Sequence, residues 1–197
     1  MIPMTVQIPK TPERIWELPV PIIKEDNLIR AYLTDGISAP FDYSELCYAL
    51  ETATADDSVR LYINTPGGDL DAASMIVDAI SSCSAPVTAH LSGTVASAGT
   101  MITMACDDIV VAANTDFMIH TYSSMMGGKG QELEARQSHV NKAIKQLMTD
   151  YYAGFLTSRE LTKVINGTDM WFNREEVLRR WELRQQHLQE AANAAAN

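Results

Sequence analysis

Short β-branched strands alternate with apolar helical segments through the middle of the chain, and this alternation limits the possible folds more than any other feature. VRLYI at 59–63, VTAHL at 87–91 and the strand that ends FMIH at His120 are separated by segments with apolar residues at three- and four-residue spacing. Strands and helices that alternate in this way are typical of parallel β-α-β units. The sequence therefore predicts an α/β fold built on a parallel sheet.

Charge and composition exclude several classes of partner. The 197 residues include 15 Lys and Arg against 25 Asp and Glu, a net charge of −10, so no basic surface is available to neutralise phosphates. No segment approaches the length of apolar sequence that spans a membrane. The three cysteines are far apart and lack metal-ligand spacing, which indicates a reducing compartment. These features predict a soluble, cytoplasmic protein that binds neither nucleic acid nor membrane.

The two ends of the chain differ from its centre. Because prolines recur through the first 21 residues, residues 1–26 are expected to form an extended arm. Residues 27–177 form the predicted main domain, and a long helical pattern within 123–155 is expected to project from it. Residues 178–197 are expected to form a helical tail that ends in the low-complexity run AANAAAN.

Ser97 lies in a run of small residues, GTVASAG at 93–99, between a strand and a short apolar helix. At such a junction a serine hydroxyl can be exposed, while the amide of Ala98 points at an oxyanion that develops at the positive end of the helix. A serine that caps the helix, among small residues that allow close packing, explains the same pattern. Spacing alone favours the capping role.

Two further positions can take part in the same chemistry. Gly68, in the Pro-Gly-Gly turn before the next helix, can supply a second amide donor, although two glycines alone favour a tight turn without a ligand. His120 ends a strand at the carboxyl edge of the sheet, where the sites of parallel α/β folds gather. An imidazole there can take the proton of Ser97, and an ordinary strand-end histidine is the alternative.

No acid can be chosen from spacing as the third member of such a site. Asp169, in GTDMWFN, precedes a predicted helix, so its simplest role is that of a turn or capping residue. The sequence contains neither metal-ligand spacing nor a phosphate-binding glycine motif. It therefore predicts no metal and no cofactor.

Four motifs together carry a resemblance. INTPGGDLDAASMIVDAI, LSGTVASAGTMI, FMIH and GGKGQELEA occur in this order between about Asn27 and about Val177. In this respect the chain resembles ClpP, the proteolytic subunit of the Clp protease and a family of barrel-forming serine peptidases. The resemblance implies a ClpP/crotonase-type β-α-β superhelical core, with a projecting long-helix handle at about 123–155.

The same resemblance implies roles for the candidate residues. Ser97 matches the nucleophile, His120 the base and Asp169 the acid, while the amides of Gly68 and Ala98 match the oxyanion hole. The implied function is that of a serine endopeptidase that hydrolyses unfolded proteins or peptides inside an oligomeric chamber. The implied partners are further copies of the chain, in heptameric rings that stack as a tetradecamer, and an AAA+ unfoldase.

Several positions depart from the family pattern. Thr168 replaces an arginine used in contacts between rings, and Thr121 and Tyr122 replace a Gln-Pro pair. Arg60 and Ser82 stand where aromatic residues tend to line the unfoldase dock, so we expect weaker docking of an apolar loop. The closing strand of the family is replaced by the helix-forming sequence RRWELRQQHLQEAANAAAN.

Two other functions are compatible with such a core. One is a non-catalytic ring subunit, against which the presence of Ser97, His120 and Asp169 argues. The other is an acyl-thioester enzyme of the wider crotonase fold, which uses paired backbone amides but needs no serine and histidine pair.

Overall fold

A largely parallel sheet forms the centre of the protein, as the alternation of strands and helices predicts. The computed structural model describes residues 20–122 and 129–195. Most of the predicted arm, residues 123–128 of the predicted handle and the last two residues lie outside the described residues. The described strands are β1 (Ile22–Glu25), β2 (Leu28–Leu33), β3 (Ser58–Thr65), β4 (Val87–Ala96), β5 (Asp108–Val111), β6 (Asp116–Ile119) and β7 (Met170–Phe172). The described α-helices are α1 (Ser44–Glu51), α2 (Leu70–Ser82), α3 (Ala98–Ala105), α4 (Gly130–Tyr151), α5 (Ser158–Ile165) and α6 (Arg174–Ala195).

The strand order is β1-β2-β3-β4-β6-β7, and β5 also pairs with β4. The pairs from β2 to β6 are parallel, whereas β1 and β7 add antiparallel partners at the two ends. β4 is long enough, at ten residues, to pair with β5 along its first half and with β6 along its second. The predicted α/β fold with a parallel sheet is therefore confirmed, and the antiparallel edges are additions that the sequence pattern did not predict.

The two faces of the sheet differ in their burial. In β3, Leu61 and Ile63 are completely buried, while Tyr62 between them lies on the opposite face and is only half-buried. On that opposite face Tyr62 stacks on Tyr32 with ring centroids 4.7 Å apart, and its ring packs at a tilt against His90 with centroids 4.9 Å apart. The covering helices of this chain therefore bury one face of the central strands much more fully than the other.

Helix α6 holds part of the core together, although the sequence predicts a tail from residue 178 onward. Arg180 binds Glu160 through Nη2 and Oε1 at 2.8 Å, and its guanidinium lies 4.6 Å from the centre of the Phe172 ring. Arg184 donates from Nη2 to the Met104 carbonyl at 2.8 Å, at the negative end of α3. The first three turns of α6 thus belong to the packed domain. None of the described helices has the length and apolar character of a membrane-spanning segment.

Candidate active site

Strands β4 and β6 place Ser97 and His120 at the same edge of the sheet. The two strands are parallel, with Ala96 opposite Met118. Ser97 is the next residue after β4, and its amide donates to the Met118 carbonyl at 2.9 Å. His120 is the next residue after β6. Both side chains line one pocket, so the structure brings together the serine and the histidine that the sequence analysis selected.

Strand β7 brings Asp169 to the same edge. It runs antiparallel to β6 with Ile119 opposite Met170, so His120 and Asp169 are opposite each other one residue beyond the last pair. Such cross-strand neighbours have Cα atoms about 4.5–5.5 Å apart. Asp169 is exposed, and within the described residues it makes no hydrogen bond or ion pair with His120. The register therefore sets Asp169 opposite His120, while no side-chain contact between them is made in this conformation.

The backbone at Ser97 distinguishes the two roles that the sequence leaves open. Ser97 precedes α3 with φ 53° and ψ −121°, and its side chain makes no capping hydrogen bond. A non-glycine residue with positive φ is uncommon and is characteristic of strained functional sites. Thr100 instead donates to the Ser97 carbonyl, from its amide at 2.9 Å and from its hydroxyl at 2.6 Å. The capping role favoured by spacing is therefore wrong, and the Ser97 hydroxyl is left available to the pocket.

Gly67 allows the turn after β3 to touch the Ser97 junction. It has φ 94°, and a Cβ added there would lie 2.6 Å from the Cβ of Ser97 and 2.8 Å from the Ala96 carbonyl oxygen. The turn is held from its other side by Ile37, whose amide donates to the Gly67 carbonyl at 2.9 Å. The sequence analysis considered the Pro-Gly-Gly turn only for the amide of Gly68 and assigned Gly67 no role. Two consecutive glycines were the one signal that could have identified this close approach.

The close approach at Gly67 sets the turn that contains Gly68 beside the start of α3, because a Cβ added at Gly67 would lie 3.0 Å from the Ala98 amide nitrogen. Within the described residues, neither the amide of Gly68 nor that of Ala98 donates a hydrogen bond to another protein group. Ala98 is the first residue of α3, where the helix dipole favours negative charge. Two free donors beside a serine hydroxyl can stabilise an oxyanion that forms on an attacked carbonyl group.

The pocket beside Ser97 and His120 is mainly apolar. Its other lining residues come from the start of α2, from α3, from the segment after β6 and from α4 and the residue after it: Leu70, Met101, Tyr122, Ile144, Leu147, Met148 and Tyr152. Tyr152 Oη lies 2.6 Å from Thr100 Oγ1, and burial raises the pKa of the Tyr152 phenol above its usual range. The phenol is therefore a neutral hydrogen-bonding group that ties α4 to α3 next to Ser97. The described residues contain no cluster of three or more side chains able to hold a metal ion.

Comparisons with known proteins relate this chain to one family. The family model described as Clp protease matches residues 40–180. The ATP-dependent Clp protease proteolytic subunit 2 of Pseudomonas aeruginosa is 29% identical to this chain over 126 residues. The aligned part covers 63% of this chain and 63% of that relative's length. The ATP-dependent Clp protease proteolytic subunit of Streptococcus suis is 26% identical over 188 residues, which cover 90% of this chain and 92% of the relative.

A solved structure shows the same fold. A mutant of ClpP1 from Listeria monocytogenes superposes with a TM-score of 0.62 at 24% identity, over 77% of this chain and 86% of that chain. The ClpP-type core expected from the sequence is thus confirmed.

Proposed function

Because this chain belongs to the Clp protease family, we propose that it is a serine endopeptidase subunit that hydrolyses peptide bonds of unfolded proteins or peptides inside an oligomeric chamber. The observation that carries this proposal is the backbone at Ser97. Its φ of 53° and its missing capping bond leave the hydroxyl free in a pocket that His120 also lines. A helix cap would not need either feature.

The proposed reaction uses acyl transfer. His120 removes the proton from Ser97 Oγ as that oxygen attacks the substrate carbonyl carbon, and the oxyanion binds the amides of Gly68 and Ala98. The intermediate collapses when His120 gives the proton to the leaving amine and the carbon–nitrogen bond breaks. Water, deprotonated by His120, then hydrolyses the acyl-enzyme ester and regenerates Ser97. No step needs a cofactor.

Asp169 is proposed to orient His120 and to stabilise the imidazolium that forms during the reaction. The register of β6 and β7 supports this role, because it sets the two residues opposite each other. Asp169 is exposed in the single chain and not bonded to His120. We propose that assembly into rings brings the Asp169 carboxylate into contact with His120.

The proposed partners are other copies of this chain, in heptameric rings that stack through the α4 handle, together with an AAA+ unfoldase in the cytoplasm. Arg60 and Ser82 are both exposed. An unfoldase whose docking loop is wholly apolar is therefore expected to bind this subunit weakly. Thr168, next to Asp169, cannot make the ionic contacts between rings that an arginine makes.

Labelling with a fluorophosphonate tests the proposed chemistry, because this reagent forms an ester only with an activated serine. Wild type, Ser97→Ala and His120→Ala are compared by intact mass, with Ser158→Ala as the matched control for an exposed serine at a helix start. The oligomeric state of each sample is measured by analytical ultracentrifugation. We expect one adduct on Ser97 that is lost in both site variants and kept in the control. An assembled ring without any adduct would contradict the proposal and support a non-catalytic ring subunit.

A further inference from the structure

Tyr122 connects the strand that carries the candidate base to the long helix. It follows His120 by two residues, is half-buried and lines the same pocket as Ser97. Its hydroxyl donates to Asn141 Oδ1 on α4 at 2.6 Å, a short hydrogen bond. The ring is therefore held at both ends, by the backbone after β6 and by α4.

The described residues that line the rest of the pocket are uncharged. Leu70, Met101, Ile144 and Leu147 line it, and none of its described lining residues is a lysine, an arginine or an acid. A charged side chain that entered would lose hydration without gaining a partner, whereas an apolar one would gain buried area. The pocket is thus suited to an apolar group.

The position of the pocket determines which substrate group it receives. The residue that supplies the attacked carbonyl has its Cα one bond from the carbon that Ser97 attacks. Its side chain therefore lies within a few ångströms of Ser97 Oγ in any productive pose. A pocket that touches both Ser97 and His120 is the space into which this side chain extends.

We propose that Tyr122, held by Asn141, determines specificity by limiting the size of the substrate side chain on the acyl side of the cleaved bond. This inference rests on the proposed peptidase function. Leucine and methionine are favoured over phenylalanine and tryptophan, because a larger ring can enter only if the Tyr122 ring moves and its 2.6 Å bond to Asn141 breaks. In the family that this chain resembles, the proline of a Gln-Pro pair commonly stands at the position of Tyr122. Proline is smaller than tyrosine and has no hydroxyl that could bind Asn141.

A series of fluorogenic peptides that differ only in the residue before the cleaved bond tests this role. The measured quantity is kcat/KM for phenylalanine divided by kcat/KM for leucine, in wild type, Tyr122→Ala, Tyr122→Phe and Asn141→Ala. Tyr48→Ala is the matched control, since Tyr48 is an exposed aromatic residue away from this pocket. We expect Tyr122→Ala to raise the ratio by about tenfold or more. Tyr122→Phe and Asn141→Ala keep the ring but remove its hydrogen bond to Asn141 Oδ1, so they raise the ratio by a smaller factor of about three.

Fluorophosphonate labelling of every sample separates the two proposals. Normal labelling of Ser97 with a ratio unchanged in all three variants would overturn the role of Tyr122 and leave the peptidase intact. A wild type that neither labels nor cleaves any peptide would overturn the proposed function, and with it this inference. If Tyr122→Ala does not fold, Tyr122→Phe and Asn141→Ala decide, because both retain the aromatic ring at the pocket. A ratio within about twofold of wild type in both would then reject the proposal.

Discussion

Helices α2 and α3 each follow a parallel strand after a short connection, but the residue that precedes the helix is used differently at the two junctions. Asp69 precedes α2 with φ −63°, and its carboxylate accepts a hydrogen bond from the Ala72 amide at 2.8 Å. Ser97 precedes α3 with φ 53° and makes no such bond. At the first junction the side chain stabilises the helix, whereas at the second the side chain faces a pocket and the first amide of the helix has no acceptor among the described residues.

Helix α3 compensates for its missing cap through packing. Thr100 donates to the Ser97 carbonyl and pairs with Tyr152, and Arg184 binds the Met104 carbonyl at the other end of the helix. Every residue from Ala98 to Met104 is buried. A helix that is held from all sides can leave its N-terminus unsatisfied, which is the condition that an oxyanion site requires.

The largest expected effect comes from Ser97→Ala. If the Ser97 hydroxyl is a nucleophile and not a cap, peptide hydrolysis falls by about 10³-fold or more, while the free energy of unfolding changes by less than about 0.5 kcal/mol. Hydrolysis of a fluorogenic peptide and urea unfolding of the same preparation measure the two quantities. A loss of about 1 kcal/mol of stability with activity retained would remove the contrast between the two junctions.

Gly67→Ala tests the contact between the two junctions. The new Cβ would meet Ser97 at 2.6 Å and the backbone would be strained at φ 94°, so the free energy of unfolding is expected to fall by about 3 kcal/mol or more. Gly167→Ala is the matched control, since it has φ 95° and no heavy atom within 4 Å of the added Cβ. It should cost only the backbone strain, about 1–2 kcal/mol. Equal losses in thermal or urea unfolding would show that the close approach to Ser97 is not tight.

The start of α5 adds a third helix terminus to this comparison, because its contribution to the free energy of unfolding is expected to depend on pH. Thr157 and Glu160 form a capping box at the start of α5: the Glu160 amide donates to the Thr157 hydroxyl, and the Thr157 amide donates to the Glu160 carboxylate. Glu160 also binds Arg180. The hydrogen bond from Arg180 is the main cause that lowers the pKa of the Glu160 carboxyl from 4.5 to about 2. Because the pKa is lower in the folded protein, the stabilisation is complete above about pH 4.5 and is lost as the pH falls towards about 2.

The loss for wild type is expected to be about 1–3 kcal/mol over this interval. Glu160→Gln should remove that part of the pH dependence and should be less stable than wild type at neutral pH. Urea unfolding at a series of pH values measures both effects, with Glu182→Gln on the exposed side of α6 as the control. A pH dependence that is the same in Glu160→Gln and wild type would contradict this assignment.

The smallest expected effect comes from Asp69→Ala. Loss of the bond to the Ala72 amide should lower the free energy of unfolding by about 1 kcal/mol. Asp71→Ala is the control, because Asp71 is an exposed acid in the same first turn and experiences the same helix dipole. The difference between the two variants in urea unfolding isolates the capping bond. Two equal losses would mean that the dipole and not the cap stabilises α2.

Most of the fold could be predicted because its signals are local. The helices around Ala73 and Ala98, and the strands that lead to Ser97 and His120, follow from apolar spacing over short stretches of sequence. The short strand β7 and the helix α5 were not predicted. β7 has three residues, which are too few for a periodic pattern. It forms because its backbone pairs with β6 at the end of the sheet.

The sequence by itself determined the parallel β-α-β core and two candidate groups, Ser97 and His120, because strand ends and small-residue junctions are visible along the chain. Only the tertiary structure showed that the Ser97 side chain does not cap α3, since φ and a missing hydrogen bond are properties of the folded backbone. It also placed Asp169 opposite His120, through the antiparallel register of β6 and β7. Register and close approach depend on strands that are distant in sequence, and no local pattern encodes how such strands align.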